Sequence, residues 1–154
     1  MMNDERKDRG EFDHFVRAQA AAYHRVLREL GIGRYQSHWI WFIFPQLRAL
    51  AYSSASYRYG IASLAQAERY LKHELLSPRL CECTQMVLDI QGQTAKMIFR
   101  GPHYHKFQAS MTLFSLCIPA NSLFAKALDK YFAGRRHSET LIMIQDDEIG
   151  KSSG

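Results

Sequence analysis

The sequence predicts a mainly α-helical protein, a single compact domain of about six or seven helices in an irregular, orthogonal-type packing. Three observations carry that expectation. Apolar residues recur at three- and four-residue spacing in several segments, the period that lines one face of an α-helix. Helix starts and stops punctuate those segments, among them Ser63 with Gln66, Ser77 before Pro78, and Gly31, Gly92, Gly101 and Gly134. The 154 residues, 47% hydrophobic and 23% charged, show no repeat, low-complexity linker or domain boundary, so one core suffices. The expected domain covers residues 11–144, between a flexible segment over 1–10 and a flexible acidic tail over 145–154.

The first helix follows from Phe12, Phe15, Val16, Tyr23, Val26, Leu27 and Leu30, with Gly31-Ile32-Gly33 as its stop. Residues 37–46, SHWIWFIFPQ, run through six apolar positions, Trp39 to Phe44, and are expected to be mostly buried. Ser37 suits the cap of a short helix there, whereas the aromatic and β-branched content and Pro45 suit an extended piece, and both remain open. Residues 49–62, rich in Ser, Ala, Tyr and Gly, read as an ordered loop. Ser63 and Gln66 open a helix through Leu71, and Ser77-Pro78 opens another whose stripe is Leu80, Cys83, Val87 and Leu88. Thr94 caps a short helix to Phe99 that Gly101-Pro102 ends. A largely apolar helix from Tyr104 or Lys106 to Cys117 is expected at the centre of the fold. One more spans Asn121 to Phe132, and a last turn or two runs from Ser138 to Ile144.

The formal charge of +5 is unevenly spread. Residues 14–137 carry sixteen bases and six acids, and no carboxylate occurs between Glu29 and Glu68 or between Asp89 and Asp129. Positive potential should concentrate where these two acid-free windows meet, which favours an anionic partner. The charged start lacks the apolar core of a secretory signal, no run is long enough to span a membrane, and three cysteines form no paired framework. The expected setting is the cytoplasm, with no membrane partner and the thiols reduced.

His38, beside Trp39 and Trp41, is the candidate general acid or base. Trp39, Gln46, Arg48 and Tyr59 are candidate ligand-binding residues, the rings stacking and the polar groups orienting. Lys106 and Ser110, on the helix behind Pro102, are candidates for an anion site. His103 and His105 form an H-x-H without a third ligand nearby, so no metal is assigned. No nucleophile elbow, Cys-His spacing, paired carboxylates or helix-turn-helix signature is present, so no reaction class follows and no cofactor is assigned.

Three segments resemble the domain-of-unknown-function family DUF1810: Ser37 to Gln46 with Tyr59-Gly60-Ile61, Leu64 to Leu80, and Ile98 to Phe114 with the later LDKYFAG and Thr140-Leu141. The resemblance runs from about residue 12 to 143 and implies a mainly helical fold, with no activity attached. Members resembling it read G-S-P-D-D-L-K where this chain has Arg100-Gly101-Pro102-His103-Tyr104-His105-Lys106, so both acids are replaced, and Glu74 stands where proline is common. The function expected is binding of an anionic small molecule, nucleotide-like or phosphorylated, in a basic, aromatic-lined pocket. The alternative is a non-enzymatic module contacting nucleic acid or an acidic protein. Trp39 to Phe44 should form a wall of core from which His38 and Gln46 project toward Lys106, with Arg48 converging on them.

Overall fold

In the computed structural model, which describes residues 10–153 and side chains as far as Asp147, the first stripe becomes helix α1 (Asp13–Gly31), with Phe15, Ala22, Val26 and Leu30 buried. Gly33, at φ 74°, turns the chain out of it, and the amides of Ile32 and Gly33 bond back to Arg28 and Leu30. Of the expected flexible start, residues 1–9 lie outside the described residues.

The aromatic segment makes one helical turn, α2 (Ile40–Ile43). Ser37 does not cap it, because its hydroxyl is donated to Glu29. The stretch read as a loop is more regular than expected: a 3-10 turn (Arg48–Leu50) precedes α3 (Ser54–Arg58), which opens on a reciprocal capping box between Ser53 and Ser56. The serines that gave the stretch its loop-like composition are the caps that start the helix.

Helix α4 (Leu64–Lys72) begins at Ser63, whose hydroxyl accepts the Gln66 amide at 3.1 Å, while the Gln66 side chain takes the amide of Ala62. Helix α5 (Leu76–Asp89) starts just ahead of the Ser77-Pro78 signal. His73 Nδ1 accepts the amides of Leu75 and Leu76 at 3.1 and 3.2 Å, so an imidazole supplies the acceptor expected from Ser77. Thr94 caps α6 (Ala95–Phe99) as expected. There follow α7 (His103–Ser115), α8 (Leu123–Phe132), capped by Ser122, and α9 (Ser138–Ser153). The last helix thus runs well past Ile144, where a turn or two was expected.

Helix α7 is central, as its apolar composition required: Phe107, Met111, Leu113 and Phe114 are fully buried, and it packs against α2, α4, α6, α8 and α9. Helix α5 packs on α1, α2, α4 and α8, closing the other side of the core. Among the described residues there is no strand, only a parallel bridge in which Ile61 N donates to Gln46 O (2.9 Å) and Arg48 N to Ile61 O (2.7 Å). That bridge fixes the segment carrying Gln46 and Arg48. No helix among the described residues is long and apolar enough to cross a membrane.

Candidate functional site

The aromatic motif is set by a carboxylate that the sequence marked only as the edge of an acid-free window. Glu29, 2% exposed in the last turn of α1, accepts the amides of Gln36 (2.5 Å) and Ser37 (3.0 Å), the indole N–H of Trp39 (2.9 Å) and the hydroxyl of Ser37. Burial pushes its pKa up, but the bonds from Ser37, Gln36 and Trp39 outweigh burial and leave it lowered. With Ser37 and Trp39 both pinned, His38 between them is held at φ 56°, a left-handed conformation costly for a residue with a Cβ, and its side chain is exposed.

Lys106, in the opening turns of α7, is only 8% exposed. Its ammonium donates to His103 Nδ1 at 3.0 Å and lies 5.4 Å from the Trp41 ring centre and 5.0 Å from that of Tyr52. The rings and the imidazole lone pair offset part of the desolvation, and the amino end of α7 adds positive potential. No carboxylate pairs with Lys106 among the described residues. A buried cation without a counter-charge is costly, so the surroundings favour an anion.

Lys106 forms part of the wall of a cavity of about 390 Å³ with Gln46, Leu50, Tyr52, Pro102, His105, His137 and Glu139. The two acid-free windows therefore do meet, with Gln46 to Tyr52 from the first and Pro102 to Lys106 from the second. His137 Nδ1 lies 2.9 Å from the Thr140 hydroxyl and accepts the Thr140 amide at 3.3 Å, capping α9; when Nδ1 accepts from both, the ring proton of the neutral form is on Nε2. Beside Glu139, such an imidazole can donate a hydrogen bond or exchange a proton. Tyr52, His105, His137 and Glu139 were not singled out as ligand groups; His105 was weighed only as half of a metal pair, and nothing local in the sequence marks His137.

The other candidates divide. Gln46 and Lys106 share the cavity, while His38 does not line it but stands near enough to His103 for its charge to act there. Trp39 is fully buried, bonded to Glu29 and packed against Tyr35 at 4.8 Å, so it presents nothing to a ligand. Ser110 is likewise fully buried, its hydroxyl without a partner among the described residues. Arg48 is turned to a different cluster, its guanidinium 5.2 Å from the Tyr57 ring, and Tyr59 stacks on His14 of α1. A second cavity, about 540 Å³, lies beyond Leu47 and Ala49, with Glu68, Asp146 and Asp147 on its walls and none of the candidates.

Three histidines share one titration direction. Burial lowers the pKa of His14, reinforced by Arg58, Arg17 and Arg48; burial lowers His103, reinforced by Lys106 and His38; burial lowers His137 despite Glu139. The unfolded chain then binds protons first, so stability is complete above about pH 6.5 and falls as pH drops toward the folded values. Protonation of Glu29 adds a further loss below 4.5. Melting temperature should be flat from pH 8 to 7 and fall from 6.5 to 5, less steeply in His103→Asn. A rise over that range would contradict the assignment.

A family model described as a protein of unknown function, DUF1810, matches residues 9–144. Among solved structures, the chain is similar to the conserved hypothetical protein Rv1873 from Mycobacterium tuberculosis, with 44% identity and a TM-score of 0.85 over 88% of this chain and 96% of that one. No curated protein matches.

Proposed function

We propose that this chain, which belongs to the DUF1810 family of proteins of unknown function, binds the anionic group of a small phosphorylated or nucleotide-like molecule in the cavity beside Lys106. The observation that carries this is the unneutralised ammonium of Lys106, 8% exposed, on the wall of a cavity of about 390 Å³. Gln46 and the Nε2–H of His137 are suited to orient the ligand, and the exposed ring of Tyr52 to stack on an apolar or aromatic part of it. The resemblance in sequence adds a reason: an acid at position 103 would neutralise Lys106, and His103 leaves the charge available.

Thermal melts with nucleotides, sugar phosphates and inorganic phosphate test the proposal. A ligand at a hundredfold its Kd stabilises by about 2.7 kcal/mol, or roughly 5–10 °C for a domain of this size. Lys106→Met should abolish that shift while leaving the ligand-free protein unchanged or up to about 1 kcal/mol more stable, because a buried unpaired charge is replaced by an apolar side chain of similar length. His103→Asp should weaken the shift by neutralising Lys106, whereas His38→Ala, off the cavity wall, should leave most of it. Absence of any shift in the native protein, or a shift that Lys106→Met retains, would overturn the proposal.

A further inference from the structure

We infer that a second face, built from His14 and Arg17 of α1, Arg48, and Tyr57, Arg58 and Tyr59 at α3, binds single-stranded nucleic acid. It is separate from the Lys106 cavity and does not depend on it. Its rings and guanidiniums alternate: Arg48 lies 5.2 Å from the centre of Tyr57, Arg58 lies 5.7 Å from that of Tyr59, and His14 stacks on Tyr59 at 5.8 Å with an interplanar angle of 18°. Tyr57 is 59% exposed, with the Arg48 guanidinium over its ring.

Burial lowers the His14 pKa, and the charges of Arg58, Arg17 and Arg48 lower it further against the opposing charge of Asp13. None of the three forms an ion pair among the described residues, and the chain from residue 30 to 67 has no carboxylate to supply one.

Fixed positive charges around one exposed ring, that of Tyr57, with the half-buried Tyr59 as its backing against the core, suit a strand whose phosphates and unstacked bases run side by side. A duplex fits less well, because α3 is only 5 residues long, too short to fill a groove, and paired bases would leave the Tyr57 ring nothing to stack on. An acidic peptide would use the arginines and leave the tyrosine faces idle.

The test is fluorescence anisotropy with a labelled twelve-residue oligothymidylate at 50 mM salt, using the full chain. Binding is expected, weakening with salt at a log–log slope of about −2 for three phosphate contacts. Arg58→Glu should weaken it at least tenfold and flatten the slope. Tyr57→Ala should weaken it roughly tenfold with the slope unchanged, since stacking is not a counter-ion effect. Both substitutions are exposed, and melting curves verify folding. Lys106→Met should leave binding intact, which separates this inference from the cavity proposal. No binding at 50 mM salt, equal displacement by a twelve-residue polyglutamate, or indifference to Tyr57→Ala would overturn it.

Discussion

Glu29→Ala should cost about 3–4 kcal/mol, the largest loss expected from any single polar substitution in this protein. A hydrogen bond to a charged group is worth about 1.5–3 kcal/mol, and each donor left buried without an acceptor costs about 1–3. Glu29 accepts from Trp39 Nε1 and from the Gln36 and Ser37 amides, and ties down the Ser37 hydroxyl. The losses do not add fully, because Gln36 is exposed and water can reach its amide, and alanine gains a few tenths in helix propensity. The indole N–H of fully buried Trp39 has no such recourse. Urea unfolding should show the deficit with an unchanged m-value, and melting should fall by roughly 10 °C. Glu29→Gln keeps one acceptor oxygen but turns an NH2 toward donors, and should lose about 1–2 kcal/mol. A loss below about 1 kcal/mol for Glu29→Ala would mean that the carboxylate does not organise the motif.

Some of this was legible in sequence and some was not, for identifiable reasons. Amphipathic period and glycine stops follow from local sterics, so α1, α5, α7 and α8 were placed within a few residues. The 49–62 stretch was misread because serine favours both loops and helix starts, and only the pairing of Ser53 with Ser56 decides between them. The start of α5 was shifted because a histidine cap leaves no compositional mark. At the site, the charge map anticipated that the two acid-free windows meet, which placed Gln46 and Lys106 on one wall. It had no means to separate Arg48 from them: which side of the 46–50 segment a side chain leaves depends on the long-range bridge to Ile61. Nor did it single out Glu29, whose four hydrogen bonds reach residues seven to ten positions away across a loop.

That bridge makes Gly60→Ala the second large effect. A Cβ built on Gly60 would sit 2.5 Å from Arg48 Cα and 2.7 Å from Arg48 Cβ, well inside van der Waals contact and against backbone that cannot rotate away. Strands of chain this close tolerate only glycine, and forcing a methyl between them costs about 2–3 kcal/mol. Relief requires the 46–48 segment to move, lengthening the bonds from Ile61 N to Gln46 O and from Arg48 N to Ile61 O. Gln46 would then leave the wall of the Lys106 cavity, and Arg48 would leave Tyr57. One methyl pressing on the base of Arg48 should therefore lower the melting temperature by roughly 4–12 °C and weaken both the ligand-induced thermal shift and oligonucleotide binding. Gly31→Ala is the control, since nothing lies within 4 Å of its Cβ position and it ends α1; it should be neutral or stabilising by up to about 1 kcal/mol. If Gly60→Ala proved as harmless as Gly31→Ala, residues 46–48 would be free to slide, and the shared anchoring of the two surfaces would be lost as an explanation of their geometry.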